Sequence, residues 1–263
     1  LRVFDDLRRA GRLGRRVDVF CPDSELGYER SRTRFVRGGR LSLDEAYRLA
    51  HLPLVGPDHP DVITSRAGTS YREGRHERMF SLVLPISPDA LETSAAYREL
   101  EGELQGSLFA RKIAWNLLPK RREKLHATIC GSLSKHVPYA FTERDRLALK
   151  QVGRFRVELR GLFSGNINVG RLYLRVYPQC RDGINLMREI QRALGRPETD
   201  LYLIGLYNLT DHLDAAEATA LEDIIARWWD RPILALDVTS LWHLGASDDL
   251  VLDGAVEEVL PLA

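Results

Sequence analysis

His126 and Thr128 stand two residues apart in the segment Lys124-Leu125-His126-Ala127-Thr128-Ile129-Cys130. The run reads as a short strand, and side chains on a strand alternate between its two faces. The imidazole and the hydroxyl therefore point the same way, with Lys124 close by, while Leu125, Ala127 and Ile129 turn toward a core. One face then offers a nitrogen that titrates near neutral pH beside a hydroxyl. That set suits a phosphodiester, which needs proton transfer at one oxygen and donors for the others. A His-x-Thr pair on an apolar strand is also an ordinary structural feature, so the surrounding elements have to carry the assignment.

Those elements become regular from Met79. Met79 to Ile86 reads as an apolar strand, Pro88 to Gln105 as a helix, and Lys124 to Ser132 as the His-x-Thr strand. Thr142 caps a helix to Lys150. Phe155 to Phe163 and Arg171 to Tyr177 are strands joined by the turn Ser164 to Gly170. Ile184 to Leu194 is a helix closed by Gly195 and Pro197. Leu201 to Thr210 is a strand, Ala215 to Trp229 a helix, Ile233 to Leu244 one long strand, and Leu250 to Leu252 a short pairing segment. Strands and helices alternate in two unequal halves, which favours an α+β sandwich with a mainly antiparallel sheet.

Residues 1–76 differ in character. They are rich in arginine and turn formers and read as an extension or cover on a main domain spanning 77–263. Asp5 to Leu13 reads as a short helix, and Arg15 to Cys21 as a strand. Ser42 is the expected N-cap of a helix through Leu52, with Glu45 as its capping-box partner. The arginines from Arg30 to Arg37 read as a solvated face, or alternatively as a contact for phosphates.

The 263 residues suffice for one large domain, or a domain with a substantial extension. Lys and Arg number 38 against 37 Asp and Glu, so any nucleic-acid binding must use a local patch. No run approaches the roughly 18 apolar residues of a membrane span. Cys21, Cys130 and Cys180 are odd in number and widely spaced, which argues against a disulfide framework and a metal knuckle. A reducing, cytoplasmic setting is the plain expectation. There is no HExxH, no paired Cys/His spacing and no EF-hand loop, so the sequence points to no metal or cofactor.

Leu206-Tyr207-Asn208-Leu209-Thr210 repeats the spacing of the first motif, polar then apolar then Thr, and a helix follows it. Here the chain resembles the 2H phosphoesterase superfamily, over roughly residues 78–258. The resemblance extends to the apolar strand Met79 to Leu84 and the closing strand Leu236 to Leu244. It implies a duplicated, two-lobed α+β fold with helices packed outside the sheet, and one His-x-Thr/Ser strand in each lobe. The two motifs would face each other across a cleft and act on RNA ends, cyclic phosphates or small oligonucleotides without a metal. His126 would be a general acid or base, and Thr128 and Thr210 would hold the phosphate.

One departure matters. Asn208 stands where the second histidine is expected, and an amide cannot transfer a proton near neutral pH. His212, two residues beyond Thr210, and His243 on the closing strand are the candidate substitutes. Without either, His126 alone could serve a ribose 2′-hydroxyl attack that ends in a cyclic phosphate. The run Lys120-Arg121-Arg122-Glu123-Lys124 could guide a phosphodiester backbone, Tyr207 and Trp242 could stack a base, and Ser247 could help hold phosphate. The sequence thus supports a metal-independent phosphodiesterase with an RNA or nucleotide substrate. It also supports a degenerate member of that fold that binds a nucleotide or RNA end without turnover, or a structural protein in which His126 is merely packed.

Overall fold

The computed structural model describes residues 19–263. The expected helix from Asp5 to Leu13 lies outside them, as does most of the strand expected from Arg15 to Cys21. The strands, in chain order, are β1 (Val19–Phe20), β2 (Met79–Pro85), β3 (His126–Lys135), β4 (Phe155–Ser164) and β5 (Arg171–Arg181). They continue with β6 (Ile184–Asn185), β7 (Leu203–Asn208), β8 (Pro232–Val238), β9 (Ser240–Ala246) and β10 (Gly254–Pro261). The main sheet runs β10-β9-β2-β3-β7-β5-β4-β8, with β1 and β6 attached to β5. Every pairing is antiparallel, so the α+β expectation holds.

Two places shape this sheet. The segment expected as one strand from Ile233 to Leu244 is two, broken at Thr239, and its pieces sit near opposite ends of the strand order. A single residue cannot span a flat eight-stranded sheet, whose strands lie nearly 5 Å apart. The sheet therefore curls until its ends meet. Between its four-stranded halves, β3 and β7 pair only where Ala127 faces Ile204. That thin join leaves room for a cleft.

Helices cover the apolar face. Ala218, Leu221, Ile224, Ile225 and Trp228 of helix Ala215–Trp228 recur at helical spacing and are buried. Asp214 starts that helix through a capping box with Glu217. Phe155, Val157 and Leu159 of β4 alternate with more exposed residues, as a strand with one covered face should. Thr142 caps helix Glu143–Val152 with Asp145 as its partner. The helix expected from Pro88 to Gln105 is two, Pro88–Thr93 and Ala95–Gln105. Ser94 breaks it: its hydroxyl accepts from the Tyr97 amide and donates to the Ile233 carbonyl. Leu250 to Leu252 forms no strand; β10 begins at Gly254.

The described part of the N-terminal region packs into the same core. Tyr28, Tyr47 and Leu52 are buried in it, and the Tyr28 hydroxyl donates to the carbonyls of Val176 and Tyr202. Helix Glu45–Ala50 is capped by Asp44, not by Ser42. β1 lies along β5 and brings Cys21 and Cys180 to a Cα separation of 5.5 Å, where they form a disulfide. This corrects the expectation of separate thiols and removes the cysteine argument for a reducing compartment. Spacing along the chain says nothing of a strand pairing between residues 159 apart. No helix among the described residues is long and apolar enough to cross a membrane.

Candidate functional site

The join between β3 and β7 opens into a cleft of about 380 Å³. His126 and Thr128 flank Ala127 on β3, so both turn to the cleft face, and both line it. Lys124 stands at the rim, its Nζ 3.3 Å from the Gly254 carbonyl and 3.4 Å from that of Leu252. The Nδ1–H of His126 donates to the Lys124 carbonyl at 2.7 Å, which leaves Nε2 as the acceptor nitrogen. Burial, reinforced by the charges of Arg171 and Arg121, pushes this imidazole down to about 4 against the bond to Lys124. His126 is neutral near pH 7.

By the same alternation, Leu203 and Gly205 of β7 flank Ile204 and face His126 and Thr128 across the join. The facing strand offers neither imidazole nor hydroxyl there. Beyond Gly205 the pairing of β7 with β5 shifts, because Leu172 faces Tyr207 while Tyr173 faces Gly205. Leu206 is the extra residue, and it resets which side chains look which way.

Arginines fill the space instead. Arg171 lies against Gly205, where an added methyl would sit 2.2 Å from its Nη2. Its Nε has no hydrogen-bond partner among the described residues. Arg121 is 3% exposed; one of its amino groups donates to the Leu206 carbonyl, while Nε and Nη1 have no partner among the described residues. Burial, then the charge of Arg171, lowers Arg121 to about 9. The two carboxylates on this rim are engaged elsewhere. Asp248 accepts from the Leu252 and Asp253 amides. Asp249 takes the Tyr71 hydroxyl at 2.7 Å and faces His76 Nε2 at 3.4 Å. Burial opposes ionisation of Asp249, but His76, Tyr71 and Arg171 together hold it below the usual carboxylate range.

The remaining candidates from the sequence do not line the cleft, although Asn208 pairs directly with Arg171 between β7 and β5. Asn208 is 1% exposed, and its side-chain amide atoms have no hydrogen-bond partner among the described residues. Tyr47, from the N-terminal region, packs in this area and donates its hydroxyl to the neighbouring Leu209 carbonyl. Thr210 is turned to the Lys112 carbonyl, which takes both its amide and its hydroxyl. His212 accepts from the Leu43 amide through Nδ1 and meets Asp61 through Nε2, so it fastens the N-terminal region. His243 sits between the rings of Phe80 and Phe141, while its neighbours Leu244 and Ala246 reach the cleft. Tyr207 is buried with its hydroxyl on Tyr97 and Glu101. Trp242 packs beside Val83, Leu244 and Val251, and Ser247 is outside the lining set.

Arg171 and Gly205 went unremarked in the sequence, while Arg121 belonged to the basic run from Lys120 to Lys124 expected to guide a phosphodiester. Gly205 carried a usable signal, since a lone glycine inside a strand marks a close approach by another group. The cleft as built brings Arg121, Arg171 and Lys124 beside the carboxylates of Asp248 and Asp249, with the His126 imidazole and the exposed Thr128 hydroxyl, a set that can receive an anion with an esterified oxygen.

No protein-family model matches the chain, and no curated protein matches it in sequence. Among solved structures it is similar to the protein TT0787 of Thermus thermophilus, at 12% identity and a TM-score of 0.38. That alignment covers 70% of this chain and 97% of the other. It is also similar to a structure described as a phosphoesterase, at 10% identity and a TM-score of 0.36, covering 72% of this chain and 99% of that one.

Proposed function

We propose that the cleft binds the phosphate of a nucleotide or RNA end, and that the protein is a metal-independent phosphodiesterase with His126 as its acid–base group. The observation that carries this reading is a single cleft holding the free Nε2 of His126, the Thr128 hydroxyl and two arginines with unpaired donors. His126 Nε2 takes the proton of an attacking hydroxyl, Thr128 donates to a phosphate oxygen, and the leaving oxygen collects its proton from water. A ribose 2′-hydroxyl is the natural nucleophile, since it is already held next to the phosphorus, and the product is a cyclic phosphate. So weakly basic an imidazole stays ready across neutral pH but pulls protons less strongly than one tuned near 7. Slow turnover is expected.

The test is cleavage of short oligoribonucleotides and cyclic nucleotides with and without a chelator. Product should persist with chelator and fall by about 10²-fold or more in His126→Ala. A second reading is favoured by Leu203 and Gly205, which stand opposite His126 and Thr128 without a catalytic group. In it the cleft binds the same ligands with no turnover. Saturable binding without product at high protein concentration would select it.

A further inference from the structure

Arg171 and Arg121 bring two positive charges to one side of the cleft, near Asp249 and Asp248 but in direct ion pair with neither. Asp248 and Asp249 are the acidic groups of the lining, and their oxygens are committed to Leu252, Asp253, Tyr71 and His76. Arg171 reaches its position only because Gly205 has no side chain. Arg121 is held by the Leu206 carbonyl through Nη2, and its Nε and Nη1, on different edges of the guanidinium, are buried with no partner among the described residues. Two like charges close together in a buried place are unfavourable until an anion joins them.

We propose that Arg171 and Arg121 form a two-guanidinium seat for a terminal, doubly charged phosphate, on the side of the cleft where β7 presents only Leu203 and Gly205. It deepens the phosphate-ester reading above and rests on it. The chemistry selects the kind of phosphate. A guanidinium edge presents two N–H donors that match two oxygens. A monoester offers such donors three unesterified oxygens, and a diester two. A monoester also carries about −1.5 to −2 charges near pH 7, against one for a diester. The preferred ligand is a nucleotide or RNA end that finishes in a phosphomonoester.

Calorimetric titration of the full chain with adenosine 5′-monophosphate, adenosine 3′-monophosphate and adenosine 2′,3′-cyclic monophosphate tests the seat. At least one monoester should bind about 10-fold or more tightly than the cyclic diester. Arg171→Gln should cost that monoester about 10- to 100-fold, the range expected for charge-assisted hydrogen bonds. Gly205→Ala should cause a comparable loss with Arg171 chemically intact, by pushing the guanidinium aside. If Arg171→Gln does not fold, Arg171→Lys keeps the charge, loses the fork, and should still weaken the monoester more than the cyclic ligand. Equal affinities for the three nucleotides, or unchanged monoester binding in both the Arg171 and Gly205 variants, would overturn the seat. Cleavage without a monoester preference defeats the seat and spares the catalytic reading. Monoester binding without cleavage does the reverse.

Discussion

Burial pushes three histidines among the described residues, His51, His126 and His243, toward the neutral form. His51 is fully enclosed with neither ring nitrogen bonded among the described residues, and its burial, aided by Arg171, lowers it to about 3. His126 is lowered to about 4. His51 and His126 both begin from 6.5 in an unfolded chain, so between pH 6.5 and about 4 the unfolded state binds more protons than the native one. Stability therefore falls as pH drops through that window, by on the order of 2 kcal/mol for each of these two at pH 4.5. His76 works the other way: the Asp249 and Glu77 contacts outweigh its burial and raise it, so its contribution grows on acidification. The net expectation is a melting temperature that drops between pH 6.5 and 4.5, with a visibly shallower drop in His51→Phe, read by thermal denaturation across that range. At this scale the sequence was half legible. Alternation alone puts His126 and Thr128 on one face. Nothing in Lys120-Arg121-Arg122-Glu123-Lys124 says that Arg121 folds inward while Arg122 pairs outward with Asp89, Glu92 and Glu123.

Among the elements, β4 and helix Ala215–Trp228 approach closely enough that a glycine is required between them. A methyl added at Gly161 would lie 2.2 Å from the Trp228 carbonyl and 2.7 Å from its Cβ. Gly161→Ala should therefore destabilise the fold by at least about 1–3 kcal/mol, the usual cost of overpacking, seen as a lower urea midpoint with little change in slope. Strands and helices with long periodic patterns were readable, and most ends fell within a few residues of expectation. Breaks made by one residue were not. Val238-Thr239-Ser240 is as strand-prone as its flanks, so only the tertiary curl explains why the chain turns there. The same holds for the extra residue Leu206 in β7. It flips the alternation beyond Gly205 and sets Asn208 opposite Arg171, while the Ala127–Ile204 pairing puts Leu203 and Gly205 across from the first motif.

For the whole molecule, the described part of the N-terminal region and the sheet are one packed unit. Tyr28, Tyr47, Leu41 and Leu43 are buried in the common core, and the Cys21–Cys180 disulfide joins points 159 residues apart. Closing so long a loop is worth about 4–5 kcal/mol in the chain-entropy model. Denatured, unreduced protein should show one reactive thiol, from Cys130, and a reductant should raise the count to three while lowering the melting temperature. A thiol titration with and without reductant reads this directly. Charge balance and composition announced a globular chain; they were silent on how the first quarter of it would be tied down.

Curling the sheet has a mechanical side. Its strands form a hoop whose weakest joint is the single facing pair of Ala127 and Ile204, and whose far side is a strap one residue long at Thr239. Parting the joint to admit a bulkier guest must bend the hoop at that strap. Thr239 thus closes the hoop at a place that borders none of the groups lining the cleft.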